Sequence, residues 1–202
     1  MLVMEVNIVN EKMIENLSNK VWITRKCRIN SSERLIVTNL LSQILINYFT
    51  LVILSISIWT LFSSNESDYF SFITIIASLF LFAGTIGVNS LNYKERISNL
   101  KSCYIELDEL LGDLEILKND ILTLEKENAR TRFDNIRTSY KKILDDVENH
   151  NSYDYLKFQV NTKEYRHWTH FVKYYLFNIG FILVILSLVL IPLIPFIGVV
   201  TK

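Results

Sequence analysis

The sequence predicts an all-α membrane protein: an N-terminal transmembrane helical hairpin, a long cytosolic helical hairpin of coiled-coil character, and a third transmembrane helix at the C-terminal end. Three observations carry that prediction. Half of the 202 residues are hydrophobic, and the charges are unevenly spread. No charged residue falls between Arg34 and Glu66, between Asp68 and Lys94, or between Lys173 and Lys202. Between the second and third of these gaps, leucines recur at alternating steps of three and four, the period of a helical seam.

Taken in order, residues 1–39 form an N-terminal cytosolic segment. It carries Glu5, Glu11 and Glu15 and has no early apolar run ending in a small-residue cleavage site, so it does not read as a signal peptide. Residues 40–89 hold two spans, at about 40–62 and 69–89, each able to supply the roughly 20 apolar residues that a bilayer crossing needs. The link "SSNESDY" (63–69) between them has no Lys or Arg. Residues 1–39 contain Lys12, Lys20, Arg25, Lys26, Arg28 and Arg34, and residues 90–173 contain fourteen of the 21 basic residues. The positive-inside bias therefore places the N-terminus and residues 90–173 in the cytosol.

Residues 90–173 are the cytosolic helical region. Leu100, Cys103, Leu107, Leu110, Leu114, Leu117, Ile121 and Leu124 make a four-heptad seam, with acidic residues and lysines on the other faces. A helix over 94–127 would extend roughly 50 Å. The step from Leu124 to Phe133 is nine residues and fits neither period, which favours a turn at "NARTR" (128–132) followed by a second helix over 133–150. The seam packs either within one chain or between chains. Residues 174–202 are the third span, at about 174–198, with a short tail. Trp168, Tyr174 and Tyr175 stand at its entry, where amphipathic rings favour the interface, and Pro192 and Pro195 terminate or kink it. Cys27 and Cys103, the two cysteines, fall on the cytosolic side, where a disulfide is not expected.

Two groups of residues are candidates for function. Gln43, Asn47, Thr50 and Ser57 share one face of the first span, and Ser71, Thr74, Ser78 and Thr85 one face of the second. Such stripes either line a water path between subunits or bond back to their own helix backbone. The spans hold no Asp, Glu, Lys, Arg or His, which argues against a proton relay, a voltage sensor or an ion-coupled transporter. The second candidate is "ENHNSYDY" (148–155), with Glu148, Asn149, His150, Asp154 and Tyr155. Its caps and turn formers predict a corner that returns the chain toward the bilayer, and a corner can also receive a signal. Metal ligation by Glu148, His150 and Asp154 is disfavoured by their spacing, and no catalytic constellation marks an enzyme. No cofactor is expected. Zero net charge gives no sign of direct nucleic-acid binding.

"LLSQILINYFTLVILSISI" (40–58), "ERISNLKSCYIELDELLGDL" (95–114) and "ENHNSYDY", in that order and spacing, resemble the SLATT-type family, bacterial membrane proteins associated with nucleotidyltransferase and nucleotide-sensing domains. The "ENH…DY" ending is similar to the branch found beside reverse transcriptases. The resemblance implies a two-span effector of an anti-phage defence system, resident in the inner membrane. Such an effector would assemble as a homo-oligomer and permeabilise the lipid when an upstream input acts on its cytosolic helices. That input would be a nucleotide second messenger, or a reverse-transcriptase or nucleotidyltransferase partner. The third span departs from the two-span pattern. The rival reading is a membrane-anchored scaffold or sensor without a pore.

Overall fold

The computed structural model describes residues 10–62, 67–149, 151–165 and 167–190. Every regular element among them is helical: α1 (Glu11–Phe62), α2 (Ser67–Ser90), α3 (Tyr93–Asp120), α4 (Lys126–Asp145), α5 (Ser152–Asn161), a 3₁₀ turn (Lys163–Tyr165) and α6 (Trp168–Leu190). The chain divides into two compact units, residues 1–34 with 95–167, and residues 35–94 with 168–202.

The first unit is a helical bundle. Asn10 starts α1 by accepting the backbone N–H of Met13 on its side-chain oxygen at 2.9 Å, satisfying one of the free donors of the first turn. The helix is 52 residues long, far beyond the predicted span 40–62, so residues 11–39 are helical too. Its bundle portion repeats at three and four: Ile14, Leu17, Val21, Thr24, Arg28 and Ser31. This stripe packs antiparallel to α3, a register fixed by Lys118 on Glu15 (2.7 Å) and Glu11 (3.3 Å) at one end and Arg25 on Asp108 (3.0 Å) further along. Ile14, Leu17 and Val21 join Cys103, Leu107, Leu110, Leu114 and Leu117 of α3 and Ala129, Phe133 and Ile143 of α4 in one hydrophobic core. The α3 seam therefore packs inside a single chain, as one of its two expected arrangements; Leu100 is buried as well.

The turn between α3 and α4 comes earlier than predicted, at 121–125 rather than 128–132. The Asp120 carbonyl closes the last turn of α3: it accepts the N–H groups of Thr123 and Leu124, both at 3.0 Å, and the Thr123 hydroxyl at 2.9 Å. The Leu124 bond is the helical one, and the Thr123 bonds tighten the end in the manner of a 3₁₀ turn. Ile121 and Leu124, predicted as helical seam residues, lie in this turn yet still rest against the core.

The second unit holds three helices long and apolar enough to cross a membrane, the far part of α1, α2 and α6. No residue of α6 is buried, and its apolar side chains face outward, the inverse of the bundle. The spans shift modestly from expectation: α2 begins at Ser67 rather than 69, and α6 begins at Trp168 rather than 174. Residues 191–198 of the predicted third span, with Pro192 and Pro195, lie outside the described residues, as does most of the link after α1. α2 stops because Asn92 adopts a left-handed backbone (φ 46°), a conformation Asn tolerates and a helix cannot continue through.

Candidate functional site

Two places in the chain bring polar groups into surroundings that should exclude them. The first is the membrane-type unit. There α1 and α2 meet across an apolar groove of about 590 Å³, lined by Leu45, Phe49 and Val52 from α1 and Ile73, Ala77 and Phe80 from α2. Helical periodicity puts Gln43, Asn47 and Thr50 on the far side of α1 from this groove, and all three are exposed. The two predicted stripes therefore do not face each other within one chain.

Most of the stripe hydroxyls turn back on their own helix. Thr50 donates to the carbonyl of Ile46 (2.8 Å), Ser57 to Ile53 (2.9 Å), Thr74 to Ser71 (2.9 Å), Ser78 to Ile75 (2.7 Å) and Thr85 to Leu81 (2.8 Å). A hydroxyl bonded in this way is tolerated in hydrocarbon and offers little to a water path. Gln43 and Asn47 differ. Their amides are exposed, and among the described residues they have no hydrogen-bond partner.

The second place is the corner between α4 and α5. Asp154 is fully buried, a position a carboxylate takes only when paired. Arg34 grips it with two prongs, Nε to Oδ1 at 2.9 Å and Nη2 to Oδ2 at 3.1 Å. The backbone N–H of Asn151 donates to Oδ2 at 2.9 Å, part of a capping box that starts α5. The Asn30 side chain donates to the Asp154 carbonyl at 3.0 Å. The carboxylate raises the Arg34 pKa above its ordinary value, chiefly through the side-chain hydrogen bond. Nearby, Lys157 pairs with Glu33 at 2.7 Å, and the ring of Trp22 meets Phe158 edge-on at 5.5 Å. These contacts tie α5 to α1.

Of the residues singled out in "ENHNSYDY", Glu148 pairs with Arg96 at 3.0 Å, Asn149 is exposed in the turn, and Tyr155 stacks on Phe158 at 5.9 Å. His150 lies outside the described residues. Among the described residues no three His, Cys, Asp or Glu side chains come close enough to hold a metal. The corner is thus built from residues more than a hundred positions apart. Arg34, Asn30 and Arg96 were not singled out from the sequence, where their only signal is a positive charge or an amide near a span.

Both cysteines are buried and free. Burial pushes the Cys27 thiol up to about 11, with the Asp154 carboxylate adding to the rise and Arg28 opposing it. Cys103 is raised by burial too, against the lowering effect of Arg28.

Residues 10–201 match the family described as SMODS and SLOG-associating 2TM effector domain family 5, and the chain belongs to that family. The match runs through α6, so the third apolar helix lies within the family's own extent and not beyond it. No curated protein and no solved structure matches the chain.

Proposed function

We propose that this protein is the membrane-permeabilising effector of a bacterial defence system, seated in the inner membrane with its N-terminus and residues 90–173 in the cytosol. The observation that carries the reading is the pair of unpartnered amides, Gln43 and Asn47, on an exposed apolar helix of a two-transmembrane effector family. An amide facing hydrocarbon seeks a partner, and the same side chains on a second copy can provide it. Homo-oligomerisation through this face of α1 would gather the amides around a common axis. A water-filled leak then forms when the cytosolic bundle releases the helices. The orientation rests on the basic residues concentrated in the bundle and on their absence from α2 and the far part of α1.

The input is a small ligand or a partner acting on the bundle, of the nucleotide or reverse-transcriptase kind that the family's associations suggest. The experiment is a conductance and membrane-potential measurement in cells expressing the protein. Gln43→Leu with Asn47→Leu abolishes the leak, while Thr74→Val and Thr85→Val leave it intact. Persistence of the defence phenotype with an undisturbed membrane potential refutes the leak.

The back-bonded hydroxyls favour a second reading, a membrane-anchored scaffold that signals through its bundle without a pore. Under that reading the double amide variant retains full activity.

A further inference from the structure

The α1 stripe that faces α3 is apolar for its first three positions and then turns polar: Thr24, Arg28, Ser31. Thr24 is partnered by the Tyr140 hydroxyl at 2.9 Å. Arg28 is only 1% exposed, and neither its Nε nor its Nη1 has an acceptor. An arginine cannot escape burial by losing its proton, as a lysine or histidine can. A buried guanidinium with free donors therefore calls for an acceptor-rich counter-charge.

Two carboxylates of the surrounding helices, Asp154 and Asp108, are committed elsewhere. Asp154 is held by Arg34 and the Asn151 N–H, and Asp108 lies on Arg25. Across the seam Arg28 meets the Cys103 thiol, whose pKa it lowers against the larger effect of burial. A thiol is a weak acceptor and carries no charge here. One turn along, the Ser31 oxygen accepts from Arg34 Nη2 at 3.3 Å, which leaves the Ser31 hydrogen free to donate. Beyond its contact with the Cys103 thiol, Arg28 keeps Nε and Nη1 without an acceptor.

We propose that Arg28 is the receptor for a phosphoryl group that completes the layer between α1 and α3. A phosphoryl group is rich in acceptors, takes charge-assisted bonds from a guanidinium donor such as the free Nε–H, and keeps further oxygens for a hydroxyl such as that of Ser31. Seating it requires α1 and α3 to part at the Arg28–Cys103 contact. Occupancy consequently favours a rearranged seam over the closed one. This deepens the proposed function by naming the chemistry of the input, and rests on that reading only for what the rearrangement does.

The test uses the full chain in detergent micelles, melted with Trp fluorescence as the readout. Inorganic phosphate is titrated in one arm and adenosine 5′-monophosphate in another, with sodium chloride at matched ionic strength as the reference. At saturating phosphoryl compound the wild type melts about 5 °C higher. The Arg28→Met variant melts above the unliganded wild type, because the unmet charge is gone, and shows no phosphoryl-dependent shift. Arg28→Lys, which keeps the charge and loses the fork, shifts less than the wild type. A response to both compounds assigns the phosphoryl group alone, and a response to the nucleotide at lower concentration assigns a nucleotide source. An equal shift from chloride, a shift retained by Arg28→Met, no shift from either compound, or an Arg28→Met protein less stable than the wild type each overturns the proposal. None of these readouts involves leakage, so the effector reading fails or survives separately.

Discussion

The bundle and the apolar helices are built from the same element and use most of their polar side chains differently, with the Tyr48 hydroxyl of α1, which donates to the Val189 carbonyl of α6 at 2.9 Å, as an exception. In the bundle they reach across to a different helix: Thr24 to Tyr140, Asn30 and Arg34 to Asp154, Arg96 to Glu148, Lys157 to Glu33. In the far part of α1 and in α2, the hydroxyls of Thr50, Ser57, Thr74, Ser78 and Thr85 bond to carbonyls three or four residues back. Apolar side chains reverse as well. Six α3 residues, from Leu100 to Leu117, are buried, and α6 buries none. The lesson is about solvent. Water drives leucines inward and makes a cross-helix ion pair a means of register, whereas lipid leaves leucines outside and obliges polar groups to find partners within the protein, most often on their own helix.

The largest expected effect breaks the bundle's most buried cross-helix link. Arg34→Met leaves the Asp154 carboxylate in the interior without its cation, which costs about 3 kcal/mol, read by denaturant unfolding of the bundle. Adding Asp154→Asn recovers much of that loss, because the amide oxygen still accepts the Asn151 N–H. If the single variant unfolds no more easily than wild type, the pair is ornamental and the contrast between the two regions weakens.

One truncation made in both regions sharpens the comparison. Leu107→Ala removes a fully buried seam residue and costs about 3 kcal/mol through lost burial and the cavity left behind. Leu79→Ala removes a side chain that is 63% exposed on α2, and stability in micelles changes by less than about 0.5 kcal/mol.

Cys27 gives a measure of how closed the bundle is. Raising its pKa from 9.0 to about 11 lowers the thiolate fraction at pH 8 about a hundredfold, so alkylation by iodoacetamide is slowed by at least that factor relative to the unfolded chain. The folded state holds the proton more tightly than the unfolded state. Stability is therefore flat below pH 9 on this account and falls as pH rises from 9 toward about 11.

The regions also differ in how much of them could be read from the chain. The charge-free runs that become α2 and α6 were plain, since a bilayer requirement is a matter of composition over some twenty residues. The α3 seam was plain because its positions Leu100, Cys103, Leu107, Leu110, Leu114 and Leu117 are all Leu or Cys. Its partner on α1 was hidden by the residues that make it interesting: Thr24, Arg28 and Ser31 occupy seam positions and erase the apolar period. The early turn after Asp120 was hidden because Ile121, Leu122 and Leu124 look like more helix. At "ENHNSYDY" the corner was legible from its turn formers, but its anchor was not. Arg34 and Asn30 lie 120 and 124 residues from Asp154, and nothing local in the sequence pairs them.

The smallest predicted difference tests the comparison most directly, because it makes the same chemical change in both regions. Thr85→Val deletes a hydroxyl whose bond runs to Leu81 within α2. The helix keeps its backbone bonds and valine keeps the shape, so unfolding in micelles shifts by less than about 0.5 kcal/mol. Thr24→Val deletes a hydroxyl that bonds both the Lys20 carbonyl and the Tyr140 hydroxyl of α4. That variant loses a link between helices and leaves the Tyr140 hydroxyl without this partner, for about 1 kcal/mol. Equal effects at the two sites mean that the cross-helix bond adds nothing beyond the local one, and polar residues then give the bundle no register that its leucines do not already impose.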